Sequence, residues 1–316
     1  MIIRIHLALL IVVACVVSVP AAQAEQPFLV VLGIAQDGGV PQTGDTKHAA
    51  WRNPALRRLV VSLALVDPQS EERWLFEATP DLKEQLNRLD TIAPVSARSP
   101  GLSGIFLTHA HIGHYTGLAQ LGHEALGARA VPVYVMPRFA EFLETNGPWN
   151  QLVRYENIKL DRLQDGVPLR LNKRLTVTPF LVPHRQEYSE VVGFRIEGPA
   201  CTVIFLPDID SWETWDEQGT HIEELIADAD IAYVDATFYD NGEIPGRDMS
   251  GFPHPFIRHS MQRFSRLPAN ERAKIRFIHL NHTNPALYAG SDARKEIMAR
   301  GFRVAAEMER IPLGED

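Results

Sequence analysis

Cysteine is nearly absent from this chain of 316 residues, which has only Cys15 and Cys201. That scarcity excludes a disulfide framework and any zinc site built from clustered thiolates. An excess of positive charge is missing as well. The formal net charge is -8, and no basic stripe runs along the sequence, which argues against nucleic acid as a partner. There is no internal repeat, low-complexity tract or long linker, so residues 25–316 read as a single domain. A dinucleotide fingerprint is also lacking. Gly33, Gly38 and Gly39 in "LGIAQDGG" are spaced G-x-x-x-x-G-G, without the G-x-G-x-x-G turn or a helix pattern after it. They suit tight backbone at a pocket rim, with Asp37 as a substrate or metal-loop contact.

No apolar run is long enough to cross a bilayer comfortably. The most apolar segment, Leu7 to Val17, follows Arg4 and precedes Ala22-Gln23-Ala24, the small-x-small pattern of a signal peptidase site. Residues 1–24 are therefore expected to be a signal peptide cleaved after Ala24. The mature protein would be periplasmic or secreted, with no stable membrane insertion. The competing readings are an uncleaved anchor and a lipoprotein processed at Val12-Val13-Ala14-Cys15. Cleavage after Ala24 leaves Cys201 alone and rules out an internal disulfide.

Histidine is what the sequence has in quantity: there are twelve. Three fall within six positions in "THAHIGHYTGL", as His109, His111 and His114. They directly follow the strand-like run Gly104–Leu107. His109 and His111 alternate on extended backbone and should face the same way, and Gly113 eases the turn to His114. Other apolar, strand-length runs also end on ligand-type residues. "FLVPHRQEYSE" delivers His184, "VIFLPDID" delivers Asp208 with Asp210 behind it, and "FIHLNHTNP" delivers His279 and His282. Such residues converge at one rim of a sheet, where imidazole and carboxylate together suit a divalent metal. The strand-like runs recur at Phe28–Leu32, Leu59–Val66, Trp74–Phe76, Val131–Met136, Leu175–Val182, Val191–Ile196, Cys201–Leu206, Ile231–Val234 and Ile275–Leu280. Helix patterns begin at Thr79-Pro80-Asp81 and run to Leu89, then cover Gly117–Leu126, Pro137–Leu143, Ile222–Ala227, Pro255–Phe264 and Asp292–Met298. Strands in two batches with helices between them predict an α/β sandwich.

At these residues the chain resembles the metallo-β-lactamase-fold superfamily, whose signature loop is H-x-H-x-D-H, and the likeness covers nearly the whole mature chain. The resemblance implies a four-layer αββα sandwich with a metal site at one edge of the packed sheets. It implies His109, His111 and His184 at a first metal, Asp208 as a bridging carboxylate, and His114 with a C-terminal histidine at a second. For that last ligand His279, at the strand end, is preferred over His282. The signature aspartate is replaced by Gly113, which removes one ligand and one negative charge from the second position. Weaker or selective occupancy there is the expectation.

Within the superfamily, "VLGIAQDGGVPQ", "VDATFYDNGEI", "GFPHPFI" and "FIHLNHTNPALY" are similar, in order, to segments of the branch of coenzyme PQQ biosynthesis protein B (PqqB). That branch carries a cysteine cluster after the Pro-Gln loop, thought to hold a structural zinc. Here the stretch is "TGDTKHAAW", with only Asp45 and His48 as substitutes. Asp235-Ala236-Thr237-Phe238 resembles the "EATF" segment of tRNase Z-like phosphodiesterases, in which a histidine precedes the acidic residue and helps protonate the leaving group. Val234 stands there, and His254 could approach from another loop. Asp235 is either a strand-end acceptor or the orienter of a metal-bound histidine.

The leading expectation is a metal-dependent hydrolase acting on a small-molecule substrate through metal-activated water. One or two divalent ions are expected, zinc first, with iron or manganese also suited, and Asp208, Asp235 and His254 are the candidate catalytic groups. An iron-dependent oxidase or hydroxylase, implied by the PqqB resemblance, is the second enzyme reading. A binding protein without turnover is the third.

Overall fold

The computed structural model describes residues 25–94 and 100–314, so the expected signal peptide lies outside the described residues. Two seven-stranded sheets form the molecule's centre. The first is β1 (Phe28–Gly33), β2 (Ser62–Asp67), β3 (Glu72–Phe76), β4 (Gly104–Phe106), β5 (Val131–Val135) and β6 (Ile158–Arg162), side by side in that order. The second is β7 (Leu169–Arg170), β8 (Thr176–Leu181), β9 (Val192–Glu197), β10 (Thr202–Leu206), β11 (Ile231–Asp235), β12 (Ile275–Ile278) and β13 (Arg303–Val304), again in order. Finally β14 (Arg310–Pro312) returns to pair antiparallel with β1. Each sheet is antiparallel on one side and parallel on the other, changing over at β3 and at β10.

The strands are apolar on both faces because both faces are covered. Alternate residues of β1 divide between two cores: Leu29 and Val31 face the second sheet's core, while Phe28, Val30 and Leu32 face the other side. Leu63 and Leu65 against Ala64 and Val66 do the same in β2, as a period of two requires. Between the sheets Phe76 stacks on Phe106 at 5.0 Å and meets Phe194 and Phe205 from the opposite sheet at 5.4 and 6.0 Å. Helices α1 (Leu82–Ile92), α2 (Ile112–Tyr115), α3 (Pro137–Thr145) and α4 (Trp149–Arg154) follow strands of the first sheet. Of these, α1, α3 and α4 bury Leu82, Leu89, Phe139, Leu143 and Leu152 on its outer face. Around the second sheet lie α5 (Trp212–Glu217), α6 (Ile222–Ala227), α7 (Ile257–Arg263), α8 (Ala269–Lys274) and α9 (Asp292–Ala299). Trp212, Trp215, Ile226, Met261 and Ile297 join the core there. This is the expected αββα sandwich.

Two local expectations are corrected. The segment Gly117–Leu126 is not an α-helix but a 3-10 turn over Thr116–Leu121. Gly117 gives its N–H to Ala78 O at 2.8 Å, and a side chain there would run into Thr79 O. The chain is pinned to the β3–α1 connection rather than free to coil. Helix α1 begins after Asp81, not at Thr79, because the Asp81 carboxylate is turned away to accept from Val60 N at 2.9 Å.

Candidate metal centre

Every ligand-type residue singled out at a strand end, His282 apart, reaches the same edge of the sandwich. His109, His111 and His114 follow β4, His184 lies in the β8–β9 turn, Asp208 follows β10, Asp235 ends β11 and His279 follows β12. His109, His114 and His279 are fully buried and Asp208 is nearly so. Their inner nitrogens and oxygens form overlapping groups, among them His109–His111–His184, Asp37–His114–His279 and His109–His114–Asp208.

The hydrogen bonds around the rings assign the tautomers. Thr108 Oγ1 donates to Glu77 Oε1 at 2.6 Å, so it accepts from His109 Nδ1–H at 2.9 Å. Thr237 Oγ1 donates to Asp235 Oδ1 at 2.8 Å and accepts from His279 Nδ1–H at 3.0 Å. His111 Nε2–H donates to Glu187 at 3.1 Å, and His184 Nδ1–H donates to Asp210 at 2.7 Å. Each ring thus turns a bare lone pair inward. His109 Nε2 lies 2.8 Å from His111 Nδ1, which lies 3.2 Å from His184 Nε2. Burial above all, with the crowding of neighbouring imidazoles, holds His109 well below the usual imidazole range, and burial lowers His111 as well. With no proton to share, lone pairs that close repel unless a cation lies between them.

Asp208 joins this corner to the next. Its Oδ1 is 3.7 Å from His184 Nε2, and its Oδ2 is 3.2 Å from His114 Nε2 and 3.4 Å from His279 Nε2. Burial would raise its pKa, but His279, His114 and His109 outweigh that and keep it ionised, well below the carboxylate range. Asp208 Oδ2, Asp37 Oδ1, His114 Nε2 and His279 Nε2 are buried with no hydrogen-bond partner. Burial opposes a charge on His114, but Glu77, Asp208 and Asp37 push it well above the usual imidazole range. Buried polar atoms left unpartnered in this way are costly, and once that proton is displaced they make a donor set that fits one or two divalent cations.

Asp37, expected as a substrate or metal-loop contact, lies against this second corner. A side chain built at Gly113 would overlap Asp37 Oδ1 and stand 2.5 Å from its Cα. The carboxylate expected to be missing is therefore replaced in space by one from the loop after β1. Asp37 Oδ1 sits 3.1 Å from His114 Nε2 and 3.6 Å from His279 Nε2.

His254 does approach from its own loop. Its Nδ1–H donates to Asp235 Oδ2 at 2.7 Å, with Asp208 Oδ1 at 3.9 Å. Burial opposes its charge, yet Asp235, Asp208 and Asp210 push it up to about 9. Asp235 itself is a positioning residue. It also accepts from Ile209 N, Thr237 N and Thr237 Oγ1, so both its oxygens are saturated and no lone pair is left for a cation.

His282 is the ligand candidate that the structure does not bring in. It lies beyond the strand end, where its Nε2 is 3.9 Å from Asp45. Asp45 and His48 form no metal-ligating group among the described residues. His48 Nδ1 instead caps the next turn by accepting from Ala50 N at 3.1 Å.

Sequence reasoning missed Glu77 and the two threonine relays. Glu77 ends the run "WLF", so the rule that found the others would have found it. It is fully buried and its Oε1 lies 3.2 Å from His114 Nδ1. Glu77, His254 and His279 all have left-handed φ values, of 76°, 82° and 64°. Such strain in non-glycine residues gathers at functional sites.

Comparison with known proteins agrees with the fold. The beta-lactamase superfamily domain matches residues 72–280. The chain belongs to that superfamily. It is similar to coenzyme PQQ synthesis protein B of Rhizobium meliloti (strain 1021), 27% identical over 311 residues and covering 90% of this chain and 97% of the relative. Among solved structures, Zn(2+)-bound PqqB from Methylobacterium extorquens superposes with a TM-score of 0.74 at 22% identity, over 90% of this chain and 100% of that one. A diphosphatase from the PhnP family follows at 0.64 and 20% identity, over 91% and 97%. Asp37 lies outside the matched segment of the superfamily domain.

Proposed function

We propose that this superfamily member is an exported metallohydrolase that cleaves an ester, amide or phosphoester-type bond in a small molecule at a centre for two divalent cations. The observation carrying this reading is the placement of Asp208, one oxygen toward the His109–His111–His184 corner and the other toward His114 and His279. Bound there, divalent cations would supply ionised water near neutral pH and charge for a developing oxyanion.

The chain's own groups complete the chemistry. Asp208 and the imidazoles of His109, His111, His184 and His279 hold inward lone pairs, and Thr108, Glu187, Asp210 and Thr237 fix those four rings, while Glu77 lies against His114. In the metal-free protein the carboxylates of Asp235, Asp208 and Asp210 push His254 up to about 9, and its Nδ1–H is held by Asp235. His254 is the group able to give a proton to a leaving oxygen or nitrogen. Export rests on the reading of residues 1–24, and a mature protein beginning at Glu25 is its test.

The deciding experiment purifies the protein without chelator, counts its metal, and assays lactones, thioesters, esters, phosphodiesters and nitrocefin. The phosphodiester arm follows from the shared fold of the PhnP-family diphosphatase. Turnover that chelation abolishes and metal restores is expected. Bound metal with no turnover on any substrate would favour the binding-protein reading, and oxygen uptake after iron loading would favour oxidation. A protein with no metal at all would sink the centre itself.

A further inference from the structure

The glycine at 113 and the aspartate at 37 are one feature. A side chain at 113 and the present position of Asp37 exclude each other, and the space is contested by a carboxylate that lies against the two imidazoles of the second corner. We propose that Asp37 supplies the carboxylate of the second cation position, in place of the side chain that Gly113 lacks. This rests on the metal-centre reading above and goes beyond it, because it makes the loop after β1 part of the metal-binding apparatus.

The loop is built to deliver that group. Ala35 bridges to both Val60 and Leu280, and Gln36 N donates to Leu280 O at 2.9 Å. Asn281 Nδ2 donates to the Gln36 side chain, which ties the loop to the same chain end that carries His279. Gly39 then turns the backbone away with φ 65° and closes on Gln36 O at 2.8 Å. Asp37 is thus fixed beside His279 by main-chain contacts and the Gln36–Asn281 bond, none of which involves its carboxylate. Its Oδ1 is buried without a hydrogen-bond partner, which a carboxylate serving only to stiffen the loop would not leave.

Metal stoichiometry tests this independently of catalysis. Wild-type protein equilibrated with zinc, and separately with cobalt as an absorbing probe, should hold two ions per chain. Asp37→Asn, which keeps the shape and removes the charge, should hold one, with half the cobalt absorbance and an unaltered circular dichroism spectrum. Gly113→Asp alone should crowd Asp37 and also hold one ion, or melt lower. The exchange Asp37→Gly with Gly113→Asp removes the overlap and should return to two. Retention of both ions by Asp37→Asn would overturn the proposal, as would a wild-type protein with a single ion. A wild-type protein with none would instead overturn the metal-centre reading on which the proposal rests.

Discussion

The two corners of the centre are made in different ways. The first, His109, His111 and His184, is assembled from one short loop and one turn, and three imidazoles meet within 3.2 Å steps. The second, Asp37, His114 and His279, draws on the loop after β1, the start of α2 and the end of β12. Two of its members depend on special backbone: His279 has a left-handed φ, and Asp37 occupies the space that a side chain at Gly113 would need. Spacing along the chain governs the first corner, whereas the second depends on what the fold brings across it. The first should therefore bind metal in many variants of the surrounding loops, and the second should be lost more easily.

The largest effect should come from the group the corners share. Asp208→Ala removes an ionised carboxylate facing His184, His114 and His279. It should strip the second ion, weaken the first, and cut turnover by more than the roughly 100-fold that loss of an outer-shell partner causes. Metal analysis beside kcat/KM checks this. A variant that kept both ions would show that the corners are independent sites.

Loss of the threonine relays should be milder and should separate the corners. Thr108→Val frees the His109 ring, and Thr237→Val frees that of His279. Each should weaken its own cation by about 10–100-fold, readable by competition with a chromogenic chelator. Equal loss of both ions in either variant would contradict the division into two corners.

How far the sequence reached follows the same line. Ten apolar runs mark ten of the strands, because strands covered on one or both faces are dominated by apolar residues. The strands it passed over are Ile158–Arg162, with its exposed Lys159, and the short edge pieces at 169–170, 303–304 and 310–312. His109 and His111 were legible from alternation, and Asp208 and His279 from strand ends. Asp37 was visible only as a loop contact, since no spacing relates residue 37 to residue 113. Gly113 reads as a deletion because what fills the space beside a glycine, unlike its residue type, is a property of the fold. Thr108 and Thr237 escaped because a hydroxyl between a carboxylate and an imidazole has no pattern of its own.

The pH dependence of the metal-free protein offers a smaller, signed effect. His254 has a folded-state pKa of about 9, against about 6.5 unfolded. Its contribution is fully present below pH 6.5 and is lost as pH rises toward 9, worth roughly 3 kcal/mol in all. Chelated wild type should therefore melt progressively lower between those values. His254→Gln should melt lower than wild type near pH 6, with a flatter profile above it. A parallel profile would mean that the Asp235–His254 pair carries no charge.

The smallest effect separates two histidines three residues apart. His279 ends β12 with a left-handed φ that turns its ring to Asp208, whereas His282 has come round the turn to face Asp45 at 3.9 Å. His279→Ala should lose the second ion. His282→Ala should keep both, with kcat/KM within about twofold, since a partly buried side chain away from a site seldom matters more. The two rings share one apolar run and the same chemistry, so nothing but backbone geometry chooses between them. If His282→Ala lost an ion while His279→Ala kept it, the turn after β12 would have to rearrange on binding metal. The second corner would then be assembled by its cation, whereas the first is set by its sequence.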